Sequence, residues 1–432
     1  MDREPIRPIY RPLTSGTIPL YEGELDIDVG EKALRASGRV ELRLEPQVDL
    51  SVWVPGRAST TLFFTDDQQS PNRTLTVPGG ASLQPPTAER PEHKGSEGTF
   101  SIDPIVAGQL DTASHLLFHF GGALEAPSSP AGFLDARQPQ IDFELPGWNL
   151  TLVVGDRETD AFCALVKAVP KTGEIELDDV EKLDRRLFLL LSFIANREVG
   201  AGTVAGLDHS GEIVWSSWAP PRIDSQRAPI RWCPEPLIGE ALPMLGSGFS
   251  AFDSDEAMVE IVDRAIGYSL AANENVLLDV KIPIACSGLE LLSWAVLQRE
   301  GVMRSGDERR KLGPDGMVRL LLDWAGIPAA VPAKMRELEH RREQRCEKLS
   351  GGPEVLFNVR NGLVHPPKRL DDLEWPNPEE MFYAWQLATW YLELGILRTL
   401  DYNGAYWSRL RLGRSAYDLE PVPWAANSSG SP

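Results

Sequence analysis

The hydrophobic residues of this chain change their spacing near residue 250, and this change limits the fold more than any other feature. Before it, short stretches such as residues 21–29 and 36–44 alternate polar and apolar side chains, as half-buried strands do. From Ser254 onward the apolar residues recur every three or four positions, as on one face of a helix. The sequence therefore predicts an α+β multidomain protein, with a β-rich N-terminal domain followed by an all-α helical domain.

Further strands are predicted in the N-terminal half from the same alternation, at residues 50–54, 75–77, 115–120, 141–145 and 150–154. An amphipathic helix is predicted at 177–197, and a hairpin at 199–207 and 212–218. Residues 79–98 are rich in Pro, Gly, Glu and Ser, which predicts an exposed loop.

Four segments follow from this pattern. Residues 1–218 form the β-rich (α+β) domain, which we interpret as a sensor, and residues 219–252 form a Pro-rich connector. Residues 253–412 form the helical domain, in which 304–316 is polar enough to predict a loop, and residues 413–432 form a loose tail. Helices are predicted at 254–272, 283–299, 317–325, 332–349, 354–365 and 378–400.

Composition indicates the environment of the protein. We expect no apolar run to reach the length of a membrane span, and the first residues do not have the pattern of a signal peptide. The four cysteines (Cys163, Cys233, Cys286, Cys346) lack metal-ligand or disulfide spacing. These features predict a cytoplasmic protein with reduced thiols.

The formal charge of −20 argues against a protein that coats nucleic acid electrostatically. The charge is uneven, however. Residues 255–411 contain 20 Lys and Arg against 24 Asp and Glu, a net of −4, so −16 lies elsewhere. If the protein binds RNA, the sequence predicts that a limited site in the C-terminal part binds it.

The stretch from Phe357 to Pro366 has the strongest chemical pattern in the chain. Asn361 and His365 are four residues apart and share a helical face, with Arg360 beside them. Pro366 disfavours the α conformation at His365, so the helix is predicted to end there, where the helix dipole favours a protonated histidine. Arginine supplies a permanent charge and a forked donor pattern suited to phosphate. This combination suits acid–base chemistry next to a phosphodiester.

The same stretch resembles the Arg-x4–6-His motif of the HEPN superfamily, in the form Arg-Asn-x-x-x-His. The apolar segment 288–294 upstream and segments 385–394 and 402–406 downstream are similar in order to the Apea-like HEPN branch of bacterial antiphage proteins. The N-terminal half is similar, less specifically, to the β-rich region of such proteins.

The resemblance implies a metal-independent endoribonuclease without a cofactor, acting in antiphage defence of the abortive-infection type. His365 would take the proton of the 2′-hydroxyl or donate one to the leaving oxygen, Arg360 would hold the phosphate, and Asn361 would orient His365 or the phosphate. Two chains would pair as a homodimer so that two motifs face one site, and a phage protein would act as trigger at the N-terminal domain. The resemblance also implies that Glu290, inside an apolar helix, orients Arg360.

Two other functions remain open on the sequence. The chain could be a non-catalytic HEPN scaffold, in which the helices dimerise and the acidic β-rich domain binds a protein. It could also be the antitoxin-like partner of a nucleotidyltransferase, although a separate β-rich domain of this size would then be unnecessary.

The remaining polar patterns have simpler interpretations. Arg309, Arg310 and Lys311 form a basic run that is a weak candidate for RNA binding. Arg336, Arg341, Arg342 and Arg345 are interleaved with glutamates, which is typical of a solvated helix with ion pairs. His115 and His119 share one strand face too far apart for one metal ion, and we interpret them as surface residues. The helical spacing of the aromatic residues at 382–407 favours core packing over stacking on bases.

Overall fold

A computed structural model of the chain describes residues 6–11, 17–29, 32–43, 49–55, 73–78, 81–86, 95–99, 105–121, 140–154, 162, 164–223, 231–303, 306–344, 350–365, 369, 375–410 and 419–425. The chain divides into two compact units. The N-terminal unit comprises Met1–Phe188 and Glu198–Gln226, and the C-terminal unit comprises Leu189–Arg197 and Arg227–Pro432.

The N-terminal unit is built from two antiparallel sheets. Its described strands are β1 (Thr17–Val29), β2 (Lys32–Arg43), β3 (Asp49–Pro55), β4 (Arg73–Thr76), β5 (Gly95–Thr99), β6 (Ile105–Gly108), β7 (His115–Phe120), β8 (Gln140–Leu145), β9 (Trp148–Val154), β10 (Ala164–Pro170), β11 (Ala201–Leu207) and β12 (Ile213–Trp218). Five strands are ordered β4-β1-β2-β3-β5, and seven are ordered β6-β12-β11-β7-β10-β9-β8. Helix α1 (Leu177–Ala195) precedes the β11–β12 hairpin.

The two sheets share one hydrophobic core. Leu20 and Val40 of the first sheet lie in the same buried cluster as Ile105 and Trp218 of the second. Tyr10 is fully buried among them; its hydroxyl accepts a 3.1 Å hydrogen bond from Trp218 Nε1 and lies 3.0 Å from Ser216 Oγ. Because each polar atom of this cluster has a partner, the cost of burying it is offset. A β-rich N-terminal region is thereby confirmed.

His119 is not a surface residue, so that interpretation was wrong. It lies in β7, the central strand of the seven-stranded sheet, and is fully buried between the rings of Tyr10 and Phe162, each 5.1 Å away. Burial lowers the pKa of His119 to about 3, and its Nε2 accepts a hydrogen bond from the Ile9 amide. Burial likewise lowers the pKa of the half-buried His115 to about 4. Both rings are therefore neutral parts of the fold.

The predicted strands and the hairpin are present, but three strands were missed. β10 reads ALVKAVP and lacks strict alternation, because apolar Leu165 and Val169 share its less buried face with Lys167. β6 has only four residues. β5 lies within the predicted loop at 79–98, which is therefore not loop throughout.

The C-terminal unit is mainly helical, which confirms the coarse prediction for this region. Its described helices are α2 (Ile238–Ser250), α3 (Glu256–Ala271), α4 (Leu278–Arg299), α5 (Gly306–Ala325), α6 (Arg336–Gln344), α7 (Gly352–Val364) and α8 (Pro378–Thr399). Two short strands, β13 (Ala405–Tyr406) and β14 (Glu420–Pro421), pair with each other, so the unit is not entirely helical.

Two predicted segment boundaries need correction. The connector predicted at 219–252 contains α2, whose Leu242, Leu245 and Phe249 are buried, because its prolines fall before the helix or in its first two turns. The tail predicted from residue 413 contains β14 and the buried Val422 and Trp424. The indole of Trp424 donates to the Tyr402 carbonyl at 2.8 Å, which ties this segment to the unit.

Helix α4 is the central element of the C-terminal unit and contacts α3, α5, α7 and α8. By length and composition this helix could cross a membrane, contrary to the expectation that no apolar run is long enough. However, 61% of its most apolar window is buried inside the unit, as is usual for a core helix. Its place among four helices accounts for its composition.

An ion pair lies at the centre of this unit. Arg409 donates two 2.7 Å hydrogen bonds, from Nε and Nη2, to the two carboxylate oxygens of Glu393 on α8, and both side chains are almost fully buried. Burial raises the pKa of Glu393, and the contact with Arg409 opposes that shift. The guanidinium also lies 6.0 Å from the Trp385 ring centre. The pair joins the segment after α8 to the helical core.

Candidate functional site

Helix α7 carries the predicted motif and is defined at both ends. Gly351 and Pro353 begin it, and buried Val355, Leu356 and Val359 form its inner face. It ends at His365, whose backbone is extended (φ −116°, ψ 111°) while its N–H still donates to the Asn361 carbonyl at 3.0 Å. The predicted helix end at His365 is confirmed.

The structure brings the three motif residues together. Arg360 Nη1 lies 3.0 Å from Asn361 Oδ1 and 3.2 Å from His365 Nε2. Because a guanidinium can only donate, Nε2 is the acceptor in this contact. Asn361 and His365 are exposed and Arg360 is half-buried. A basic imidazole nitrogen and a cation thus share one small exposed surface.

Arg360 has no carboxylate partner among the residues that the structure describes. Its Nε is buried there without a hydrogen-bond partner. The Arg360 side chain lies close enough to Cys286 on α4 to affect its thiol electrostatically. Burial raises the pKa of the Cys286 thiol to about 12. The positive charge of Arg360 opposes this rise, and the negative charge of Glu290 adds to it. A half-buried cation without a counter-charge is a good site for an anion.

Glu290 does not pair with Arg360. Its carboxylate lies one turn after Cys286 and forms a loose ion pair, 3.8 Å, with Arg309 of α5. Glu290 is therefore a negative charge near the site that contacts Arg309 and not a motif residue. The Arg309 guanidinium also lies 5.9 Å from the ring centre of Trp294 on α4.

Arg309, Arg310 and Lys311 are exposed, but they lie on a helix and not in the predicted loop. Gly313 takes a left-handed conformation (φ 68°) and kinks α5 there, and Pro314 begins the second segment. The Gly and Pro that suggested a loop therefore mark a bend between two helical segments. The basic run lies on the first segment, beside Glu290.

Arg341 was interpreted as part of a solvated helix, and that was wrong. Its side chain is only 7% exposed; Nε donates to Asn358 Oδ1 of α7 at 2.8 Å and Nη1 to Glu380 of α8 at 3.1 Å. Its neighbour Arg342 does form the expected pair with Glu339, three residues earlier. Arg345 lies outside the described residues. The interleaved charges gave no signal that one arginine points inward.

Arg341 joins three helices next to the site. Glu380 also accepts from the backbone N–H of Asn377, whose side chain caps the start of α8. One turn earlier on α7, Arg319 of α5 holds Glu354 through both carboxylate oxygens. The first two turns of the motif helix are thus fixed by charged hydrogen bonds.

We expect Arg341→Ala to lower the free energy of unfolding of the C-terminal unit by about 2–4 kcal/mol, because it leaves Glu380 and Asn358 without a buried partner. Urea unfolding followed by tryptophan fluorescence measures the change. Arg342→Ala is the matched control and should change stability by less than about 1 kcal/mol, since its pair with Glu339 is half-exposed. Equal effects of the two substitutions would contradict a stabilising role for the buried contacts of Arg341 with Glu380 and Asn358.

Core packing is confirmed for Trp390 and Tyr391 of α8, which are buried, whereas Phe382, Tyr383 and Trp385 of the same helix are half-buried. In the described part of the chain, no cluster of three or more His, Cys, Asp or Glu side chains is placed to hold a metal ion.

Comparison with known proteins gives two similarities. Residues 255–420 match the family described as the YopA C-terminal domain. The chain is 26% identical over 252 residues to the SPbeta prophage-derived uncharacterized protein YopA of Bacillus subtilis (strain 168). That alignment covers 57% of this chain and 54% of the relative, so the chain spans about half the length of the curated protein it matches. No solved structure matches the chain. The similarity to the YopA C-terminal domain covers α3 to β14, and therefore includes all of the candidate site.

Proposed function

We propose that this protein is a metal-independent endoribonuclease of HEPN type, with Arg360, Asn361 and His365 as its catalytic residues. One observation carries the proposal: Arg360 donates to the accepting nitrogen of His365, and no described carboxylate neutralises its charge. The arrangement offers a cation for a phosphate and, within hydrogen-bond distance, a base for a hydroxyl.

The proposed reaction is a transesterification. When a phosphate approaches, Arg360 turns its donors from His365 to the phosphate oxygens, and Nε2 becomes free to accept the 2′-hydroxyl proton. The 2′-oxygen attacks phosphorus and the bond to the 5′-oxygen breaks, giving a 2′,3′-cyclic phosphate and a 5′-hydroxyl. Asn361, bonded to Arg360 in the free protein, steadies the guanidinium. The leaving 5′-oxygen takes its proton from the imidazolium form of the second copy's His365 in a two-fold homodimer, while the first His365 keeps the proton removed from the 2′-hydroxyl.

The biological setting is part of the proposal. The similar protein of Bacillus subtilis is named as prophage-derived, which is in keeping with a role in conflict between phage and host. We propose that the enzyme acts in antiphage defence, in the cytoplasm, with the acidic β-rich unit receiving a protein trigger. The alternative is a scaffold whose helices only pair; the exposed position of His365 is equally available for a protein contact.

Incubation of the purified full chain with an unstructured RNA in excess EDTA should give fragments with 2′,3′-cyclic phosphate and 5′-hydroxyl ends. The expectation follows because the proposed base and cation are side chains of the chain itself. Replacing the 2′-hydroxyl by hydrogen at a mapped cleavage position should stop cleavage at that position. Fragments are assigned by kinase labelling of their 5′ ends and by mass spectrometry.

His340→Ala, prepared in parallel, controls for contaminating nuclease and for loss of a histidine, since His340 is exposed on α6. Products with 3′-hydroxyl ends, or cleavage that requires a divalent ion, would exclude the proposed reaction. A folded chain that never cleaves RNA would favour the scaffold.

A further inference from the structure

One face of helix α4 is approached by an arginine from each of two other helices. Cys286, Glu290 and Trp294 follow one another at four-residue steps, so they share this face. The Arg360 side chain of α7 lies close enough to Cys286 to affect its thiol. The Arg309 side chain of α5 lies against Glu290 and Trp294. The two guanidinium groups are therefore placed along one side of α4, at positions about one helical turn apart.

Arg309 is held loosely by its acidic partner. Its Nη2 lies 3.8 Å from Glu290 Oε1, whereas a charge-assisted hydrogen bond measures about 2.7–2.9 Å. Two other exposed or half-exposed arginines of this unit, Arg264 and Arg342, lie 2.7 and 2.6 Å from their glutamates. The Arg309 side chain is 47% exposed, and within the described ranges it makes no hydrogen bond to another residue. Its N–H donors are therefore available to a ligand.

The position of Arg309 is nevertheless defined. The kink at Gly313 separates the first segment of α5, which carries Arg309, from the second segment, whose Arg319 binds Glu354 of the motif helix. The Arg309 guanidinium lies 5.9 Å from the ring centre of Trp294, where a cation is attracted to an aromatic face. The bend thus lets one helix both support α7 and place a cation beside α4.

Resting on the proposed function, we propose that Arg309 binds a second phosphate of the RNA strand whose scissile phosphate lies at Arg360. In the free protein Glu290 occupies Arg309 weakly, and the phosphate displaces it. Two arginines and one glutamate leave a net positive charge on this side of α4, in a chain whose formal charge is −20. Because a strand carries one charge per nucleotide, a strand laid along α4 brings further phosphates to the second cation. Such a contact positions the strand and carries no information about its bases.

The salt dependence of binding tests the proposal without cleavage. The full chain carrying His365→Ala is titrated onto a fluorescein-labelled 12-nucleotide RNA at several KCl concentrations. Each phosphate contact with a single strand contributes about 0.7 to the slope of log affinity against log salt. Arg309→Ala on this background should lower the slope by about 0.7 and weaken binding at about 50 mM salt by about 3- to 10-fold. Arg309→Lys keeps the charge and should keep most of the slope.

A second substitution shows whether both arginines contact the same strand. Arg360→Ala added to Arg309→Ala should lower the slope by a further amount of about 0.7, because each cation meets its own phosphate. If the double variant has the slope of Arg360→Ala alone, Arg309 contacts no phosphate and the proposal is wrong.

Arg264→Ala is the matched control for charge. Arg264 is an exposed arginine paired with Glu260 on α3 of the same unit, so its loss changes the net charge equally and also frees a glutamate. It should change the affinity by less than about 2-fold, since exposed charges far from the strand are screened. An equal loss in Arg264→Ala and Arg309→Ala would mean that overall charge governs binding, and the phosphate contact would be refuted.

Glu290→Gln tests the competition. It should strengthen RNA binding by about 2- to 5-fold, because an exposed ion pair of modest strength no longer has to be broken. Glu260→Gln frees Arg264 in the same way and should have no such effect. Unchanged or weaker binding by Glu290→Gln would refute the competition.

The outcomes distinguish this proposal from the proposed function. Binding that depends on Arg309, in a chain whose wild type never cleaves RNA, would refute the nuclease and leave the phosphate contact. Cleavage by a chain whose RNA affinity and salt slope ignore Arg309→Ala would refute the phosphate contact and leave the nuclease. A chain that binds no RNA would refute both. Urea unfolding of each variant confirms that the compared chains are equally folded.

Discussion

His365→Ala should reduce the rate of RNA cleavage by about 100- to 10,000-fold, the usual contribution of a positioned general base. The side chain is exposed at the end of α7 and its Nε2 contacts only the guanidinium of Arg360 among the described residues, so its removal leaves the core intact. The free energy of unfolding should change by no more than about 0.5 kcal/mol. Single-turnover cleavage of a labelled RNA and urea unfolding measure the two quantities.

Arg360→Ala should cost about 100- to 1,000-fold, because the phosphate loses its charged donor. Arg360→Lys keeps the positive charge but loses the paired N–H donors of the guanidinium, so its cleavage rate should lie between those of Arg360→Ala and the wild type. His340→Ala should cleave as wild type does. If His365→Ala, free of contaminating nuclease, cleaves at the wild-type rate, the motif is not the catalytic site.

Arg409→Met should destabilise the C-terminal unit by about 3–5 kcal/mol, because it leaves the Glu393 carboxyl buried without its two hydrogen bonds. This is the largest stability effect that we expect. Differential scanning calorimetry and urea unfolding would show a loss confined to the transition of that unit.

The double substitution Arg409→Met with Glu393→Met is the informative companion. It removes both charges and replaces them with flexible apolar side chains, so most of the lost stability should return. A double variant as unstable as the two single variants added together would mean that the pair is not energetically coupled, and that packing around Trp385 explains the effect.

The motif could be predicted because its geometry is local. Arg360, Asn361 and His365 lie within six residues, and the helix that places them ends where Pro366 follows. Such information is contained in spacing and in the backbone preference of one residue. The same is true of the β11–β12 hairpin, whose turn residues lie between two alternating strands.

Contacts between distant segments could not be predicted in this way. Arg341 is surrounded in sequence by the same glutamates as its exposed neighbour Arg342, and only the approach of α7 and α8 selects it for burial. His119 belongs to a strand whose central place in the sheet depends on strands more than 80 residues further along the chain. Glu290 was assigned to Arg360 by family resemblance, whereas the kink at Gly313 brings Arg309 to it.

The packing of α2 and Trp424 determines how the C-terminal unit could be transferred between proteins. The segment similar to the YopA C-terminal domain runs from 255 to 420, so it omits α2 and ends before Val422 and Trp424. Yet Gly248 of α2 packs directly against the Leu400 backbone, and the indole of Trp424 lies near the Arg398 guanidinium (5.7 Å) while bonding to Tyr402. A gene fusion or a protease cut at the edges of the shared segment would expose these core surfaces. The smallest transferable module therefore extends from before α2 to beyond Trp424, and it also needs Leu189–Arg197, because these residues belong to the same unit and the Trp232 indole donates to the Phe193 carbonyl at 3.0 Å.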